Sequence, residues 1–189
     1  MNTPAHLLIG AAVFGRGQGR RVMAAALLGA LAPDASLYVM ALWALHVQGI
    51  PPQVVFDELY FSPAWQSVFA IDNSFVLWGL LMTVALIRRS PVLIAFAGAA
   101  LLHLATDFVL HAGDGRPQFW PLTNWVFDSP VSYWDSTHHS LWVAPVVALA
   151  CCLAFWSLWR GGLGPVGVAV FGLMLAAELW TARQWILFF

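Results

Sequence analysis

The sequence has no lysine, only two cysteines and few charged residues of either sign. Without lysine the chain cannot form a Schiff base, and it cannot carry the lysine of a phosphate-binding loop. Cys151 and Cys152 are adjacent in an apolar run, where they suit small buried side chains better than a disulfide. The formal net charge of −1 leaves no basic face, which excludes nucleic acid as a partner.

Apolar residues take the place of the missing charges. Hydrophobic residues make up 61% of the chain and charged residues 9%, against about 25% charged in soluble domains. These proportions predict an integral membrane protein whose first partner is the lipid bilayer. The 189 residues have room for one helical domain, residues 1–189, and none for a second.

The apolar runs predict an all-α polytopic membrane bundle, with about five transmembrane helices and a short N-terminal helix. The short helix extends from Thr3 to about Phe14. The predicted spans cover residues 22–46, 68–87, 91–110, 140–159 and 163–187. Residues 47–67 are expected to hold a short interfacial helix, and residues 112–139 form the longest loop.

Arginines mark one side of the predicted bundle. They cluster in three alternate connections, at Arg16, Arg20 and Arg21, at Arg88 and Arg89, and at Arg160. The positive-inside rule places these clusters in the cytoplasm. Loops 47–67 and 112–139 then lie outside, which means the periplasm if the cell is Gram-negative.

The span 91–110 ends in two ionisable residues, His103 and Asp107, which His111 follows. Residues four apart share a helix face, so an imidazole and a carboxylate at this spacing can bind one cation together. Ionisable groups inside a membrane are costly, which makes them candidates for function. The pair also suits a hydrogen-bonded link between two helices, and His111 suits either a third ligand or a solvated loop position.

Other polar residues recur at a similar depth in the bilayer. Counted from the arginine clusters at about 1.5 Å per helical residue, they lie roughly 15–30 Å above that side. They are His6, Asp34 after the helix-kinking Pro33, Asn73, and the loop-end residues Asp135, His138 and His139. We therefore predict that these residues gather in one cavity that opens to the outer face.

Three short motifs, in order, carry a resemblance to a known family. Thr3-Pro4-Ala5-His6, Ala32-Pro33-Asp34 and His103-x-x-x-Asp107 resemble the YdjM-type family of bacterial inner-membrane proteins, described as metal-dependent hydrolases. That family is distantly similar to zinc-dependent phospholipase C. The resemblance covers roughly the first 125 residues. It implies that His6, Asp34, His103 and Asp107 bind a divalent metal, with zinc expected and manganese or magnesium as alternatives.

The chain departs from the family pattern at two positions. Ser36 stands where the family often has a second aspartate, and Asp72-Asn73-Ser74 replaces Thr-His-Ser, so that a histidine is lost. The carbonyl oxygen of Asn73 can still act as a ligand. These departures leave open whether the site has kept its activity.

The leading hypothesis is a membrane-embedded hydrolase that cleaves a phosphoester or similar bond of a lipid-like substrate. Its expected metal ligands are His6, Asp34, Asn73, His103, Asp107 and His111. Asp135, His138 or His139 is expected to act as general base, and Arg116 to hold a phosphate. The alternative is a non-catalytic accessory or assembly subunit of a larger membrane complex, and a transporter ranks third.

Overall fold

The computed structural model describes residues 1–188, with side chains for residues 1–184. Within that part the chain is 74% helical and has no strand. The predicted all-α class is confirmed, as are five helices long and apolar enough to cross a membrane and a shorter helix before them. The five are Arg20–Val47, Pro63–Ile87, Pro91–Leu110, Ser140–Arg160 and Pro165–Gln184.

We number the helices in chain order. They are α1 (Thr3–Gly15), α2 (Arg20–Val47), α3 (Pro52–Val54 continued by Val55–Leu59), α4 (Pro63–Asp72), α5 (Phe75–Ile87), α6 (Pro91–Leu110), α7 (Ser140–Arg160) and α8 (Pro165–Phe188). Residues 111–139 form a long connection that contains only one short 3-10 turn, Ser136–His138.

Serines begin three of these helices. The hydroxyl oxygens of Ser62, Ser74 and Ser90 accept hydrogen bonds from the backbone N–H three residues later. Each serine therefore satisfies one of the free donors at a helix N-terminus. Pro63 and Pro91 follow two of them at the first helical position, where proline costs nothing because that N–H has no helical partner.

The second predicted span differs from the structure in its start and continuity. Helix α4 begins at Pro63, five residues before the predicted start at residue 68, because Ser62 caps it. The helix then stops at Asp72, and Ser74 starts α5 as a new helix. The break frees the side chain of Asn73 to turn inward, where it is 1% exposed.

The helix α2 is also interrupted. A 3-10 turn at Ala32–Asp34 contains Pro33, whose ring removes a helical hydrogen bond and bends the chain. The carbonyl of Pro33 accepts a hydrogen bond from Asn73 Nδ2 at 3.0 Å. The two interrupted helices therefore meet at their breaks, where backbone groups turn toward the interior.

Small residues pack α1, α2 and α6 closely together. Ala26, Ala30 and Ala99 are at most 1% exposed, and Gly29 of α2 lies directly against the backbone of Phe96 in α6. Small side chains let helix backbones approach in a membrane, where apolar burial alone gives little drive for association. The close packing of these three helices brings His6 of α1, Asp34 of α2 and His103 of α6 into one layer.

Candidate metal centre

The centre is built on α6, where His103 and Asp107 occupy one face. Their spacing of four residues places His103 Nε2 3.1 Å from Asp107 Oδ2. Helix α1 brings His6 to the other side of the carboxylate, with its Nε2 2.9 Å from Asp107 Oδ1. All three side chains are buried, and His111 Nε2 approaches Asp107 Oδ1 to 3.5 Å from the end of α6.

A hydrogen bond at Nδ1 orients two of the imidazoles. His103 Nδ1 lies 2.7 Å from the carbonyl oxygen of Ala30, and His111 Nδ1 lies 2.8 Å from Asp114 Oδ2. A carbonyl and a carboxylate only accept, so both Nδ1 atoms carry the ring proton. Such outer partners are characteristic of metal-binding histidines, because they fix which nitrogen is free to coordinate.

Thr106 plays the same part for His6. Its hydroxyl lies 2.8 Å from the carbonyl of His103, to which it donates, and 3.4 Å from His6 Nδ1. The Nε2 atoms of His6, His103 and His111 are all buried and all face Asp107, at 2.9, 3.1 and 3.5 Å from its oxygens.

The ligand atoms are close enough together to reach one metal ion. One nitrogen each from His6 and His103 and one oxygen from Asp107 lie within 4.8 Å of one another. Ligands about 2.0–2.2 Å from a tetrahedral zinc are about 3.3–3.6 Å apart. The rings of His6 and His103 are stacked, with centroids 3.5 Å apart and planes 7° apart. Since a metal lies in the plane of each imidazole that binds it, coordination by both rings requires them to tilt apart.

Asp34 borders this group. Its Oδ1 lies 3.7 Å from His103 Nε2 and 3.5 Å from Arg116 Nη1, and its Oδ2 accepts a hydrogen bond from Thr3 Oγ1 at 2.8 Å. The carboxylate is therefore held on three sides at the edge of the centre. The structure thus places this expected ligand beside the three closest ligand groups rather than among them.

The expected ligand Asn73 has its oxygen engaged elsewhere. Asn73 Oδ1 accepts a hydrogen bond from Arg116 Nη1 at 2.9 Å, so the amide supports the arginine beside the centre. The guanidinium of Arg116 also donates from Nε to Tyr60 Oη at 3.4 Å and lies 5.0 Å from the ring centre of Phe69. Its second terminal nitrogen, Nη2, makes no hydrogen bond within the described residues.

A cleft of about 650 Å³ leads to the centre. Its polar wall includes Asp34, Asp107, His111, Asp114 and Arg116, and its apolar wall includes Tyr38, Phe56, Phe61 and Trp134. These four aromatic side chains are each more than 40% exposed. The volume falls within the range of small-molecule sites, and the two walls suit an amphiphile with a polar head.

The loop-end residues lie outside this group. His138 Nδ1 pairs with Asp135 Oδ2 at 2.7 Å, and both side chains are exposed. Hydrogen bonds from Thr137 and His138 lower the pKa of Asp135 to about 2. His139 adopts a left-handed conformation, φ 69°, at the start of α7. None of the three contacts His6, His103 or Asp107 within the described residues, although the neighbouring Trp134 lines the cleft.

Several partners in the centre were not singled out from the sequence. Thr3, Thr106 and Asp114 orient ligands, and the amino group of Met1 lies 2.7 Å from Asp107 Oδ1. Spacing signals only Asp114, three residues after His111 in the connection, and Thr106, three residues after His103 on α6. Thr3 and Tyr60 reach the centre through tertiary packing, which one sequence does not reveal.

The chain matches no protein-family model, and no characterised protein or solved structure matches it significantly. The chemistry of the centre is therefore inferred from its own atoms. Imidazole nitrogens with a carboxylate suit zinc and other divalent first-row metals, and a buried His6–His103–Asp107 group can hold such an ion.

Proposed function

We propose that this protein is a membrane-embedded, metal-dependent hydrolase that cleaves a phosphoester or similar bond in a lipid-like substrate. The observation that carries the proposal is the convergence of two imidazole nitrogens on one buried carboxylate. The Met1 amino group pairs with one oxygen of that carboxylate, and a metal ion would bind the two nitrogens together with a carboxylate oxygen. The nitrogen content of this donor set favours zinc over magnesium.

The cleft supports the choice of substrate class. A phosphoester bears negative oxygens, and Arg116 lies on the polar wall with one terminal nitrogen free to donate. The aromatic wall suits the apolar body of a lipid that enters from the bilayer. A headgroup at the centre and a chain along Phe56 and Phe61 would satisfy both walls.

The residues around the centre supply distinct parts of the reaction. A divalent metal would supply Lewis acidity and make water nucleophilic at neutral pH. Arg116 would orient the phosphoryl group, while Asp34, held by Thr3 and Arg116, lies where it can accept a proton. The sequence assigns the base role to Asp135, His138 or His139, and that assignment stays a prediction alongside Asp34.

The location of the protein is part of the same proposal. The arginine clusters favour a bacterial inner membrane with the centre near the periplasmic side, and the YdjM-type resemblance favours the same membrane. The substrate would then be a lipid-like phosphoester of the outer leaflet. Manganese and magnesium are the alternative ions to zinc.

The first experiment measures bound metal. Protein purified in mild detergent is expected to contain stoichiometric divalent metal by elemental analysis, and Asp107→Asn and His111→Gln are expected to lower it more than tenfold. Asp57→Asn and His46→Gln are matched controls, because neither residue contacts the His6–His103–Asp107 group. Gel filtration of each variant establishes that it is folded. Metal-free wild-type protein that cannot be loaded with zinc, manganese or magnesium would contradict the proposal.

The second experiment measures hydrolysis. Wild-type protein in mixed micelles of phosphatidylglycerol and phosphatidylethanolamine is expected to release a phosphorylated headgroup or phosphate, and a chelator is expected to stop the release. Arg116→Gln is expected to retain metal and lose turnover. Metal binding without turnover of any lipid phosphoester, together with co-purification of a larger complex, would instead favour the accessory subunit.

A further inference from the structure

Charge is segregated along the bundle. Six of the eight arginines lie in or directly beside the connections α1–α2, α5–α6 and α7–α8, at the end that we call the arginine end. All nine acidic side chains belong to the opposite halves of the helices or to the connections at the other end. Within the described residues, the arginine end therefore carries positive charge that no carboxylate neutralises.

A groove of about 260 Å³ opens at this end, between α1, α2 and α6. It is lined by Val13, Phe14, Gln18, Val22, Pro91 and Ile94. Gln18 is the one polar residue among these six, and the side chain of Val13 is 61% exposed at the rim. The shape and lining suit a hydrocarbon chain that lies along the helices.

Two arginine pairs flank the groove. Arg21 directly precedes the lining residue Val22, and Arg89 lies two residues before the lining residue Pro91. Arg20, Arg21, Arg88 and Arg89 are all exposed, and within the described residues their guanidinium groups form no ion pair and no hydrogen bond. Exposed arginines without a partner among the described residues thus lie beside residues that line the apolar groove.

The other two arginines at this end have contacts of their own. Arg16 donates from Nη1 to Ser157 Oγ at 3.0 Å, and Arg160 lies 5.6 Å above the ring of Trp156. Both contacts are made on α7, a helix that does not line the groove. The four unpartnered guanidiniums therefore form a set that belongs to the groove.

We infer that this groove is a binding site for an anionic phospholipid, distinct from the candidate metal centre. One acyl chain lies along Val13 and Ile94, and the phosphate lies between Arg21 and Arg89. Guanidinium groups bind phosphate oxygens in pairs, and clustered arginines beside membrane helices attract anionic lipids. Charge complementarity selects an anionic lipid over a zwitterionic one, because the arginine end has no carboxylate to hold a cationic headgroup.

The test is direct binding by native mass spectrometry. Protein in detergent is titrated with phosphatidylglycerol or with phosphatidylcholine of the same acyl chains. Wild-type protein is expected to prefer phosphatidylglycerol, and Arg21→Gln/Arg89→Gln is expected to weaken that binding about 25-fold, at about fivefold for each arginine removed. Arg21→Lys/Arg89→Lys retains the charge and is expected to retain most of the affinity. Arg183→Gln removes one charge from α8, away from the groove, and is the matched control.

Filling the groove tests the hydrocarbon part separately. Val13→Trp adds a large ring at an exposed lining position without removing charge. It is expected to weaken phosphatidylglycerol binding while binding of soluble glycerol phosphate stays as in wild type. Equal binding of both lipids by wild-type protein, or unchanged binding in Arg21→Gln/Arg89→Gln, overturns the inference. Loss in the arginine variant with no loss in Val13→Trp also overturns it, since the site would then be surface charge without a groove.

Discussion

Gly29 links the packing of the bundle to the candidate metal centre, because it packs on the backbone of α6 and the next residue, Ala30, contacts His103. A Cβ atom at this position would lie 2.0 Å from the carbonyl oxygen of Phe96 and 2.9 Å from its Cα. These are backbone atoms of α6, so no side-chain rotation can relieve the contact. We predict that Gly29→Ala forces α2 and α6 apart and disturbs the centre several residues away.

The size of the shift follows from the contact itself. To move from 2.0 Å to an ordinary 3.4 Å, the two helices must separate by about 1.4 Å. The next residue, Ala30, accepts the hydrogen bond of His103 Nδ1 at 2.7 Å, and the same displacement would break it. Overpacking of this kind costs about 1–3 kcal/mol, which exceeds the gain of about 1 kcal/mol from replacing a helical glycine with alanine.

Two other glycines provide a graded control. At Gly98 the new methyl group would meet the ring of Phe14, which can move, and at Gly79 it would meet nothing within 4 Å. We expect the apparent unfolding midpoint in detergent to fall by roughly 2–8 °C for Gly29→Ala, for a net cost of about 1–2 kcal/mol, less for Gly98→Ala, and not at all for Gly79→Ala. Bound metal is expected to fall in the same order. Wild-type stability and metal content in Gly29→Ala would refute the reasoning.

Further predictions concern protons and hydrogen bonds. Burial of His111 lowers its pKa, but the Asp107 carboxylate outweighs burial and raises the pKa above its ordinary 6.5. A proton and a metal ion compete for Nε2 of this histidine. Metal affinity, measured by competition titration, should therefore rise with pH through and above the usual histidine range. Tyr133→Phe should lower the free energy of unfolding by about 1–3 kcal/mol, because the hydroxyl donates to buried Glu178 at 2.9 Å. Tyr133→Phe/Glu178→Leu should recover most of the loss, and additive losses would contradict this. Asp34→Asn should reduce metal affinity about 10–100-fold, as outer partners do, and less than Asp107→Asn, with both read by the same titration.

The sequence predicted the fold because the governing signal is local. Runs of apolar residues long enough for the bilayer set the number of spans, and Pro91 after Ser90 marks the predicted start of α6. The start of α4 at Pro63 was missed by five residues, although Ser62 and Pro63 carry the same signal. The break at Asn73 between α4 and α5 was not predicted, since the flanking residues are apolar and continue the hydropathy of a single span. Tertiary hydrogen bonds, such as the one from Asn73 to Pro33, stabilise this interruption, and they leave little trace in the amino-acid composition.

The candidate centre was predictable in part. The spacing of His103 and Asp107 is local, and equal depth in the bilayer brought His6 and Asp34 to the same layer. Depth cannot tell on which side of a helix a neighbour lies, so Asn73 was expected to be a ligand although its oxygen binds Arg116. For the loop-end residues, the rise counted along α7 gives a depth, but the 29-residue connection, 111–139, leaves their lateral position in the bundle undetermined.

The amino group of Met1 lies 2.7 Å from Asp107 Oδ1 and already places one positive charge beside this carboxylate. His6 Nε2 faces Oδ1 and His103 Nε2 faces Oδ2, so this one ammonium cannot lie between each nitrogen and the oxygen that it faces. A divalent ion bound by both nitrogens and one carboxylate oxygen would serve both imidazoles at once. The stacked rings, with centroids 3.5 Å apart, must tilt apart to admit it.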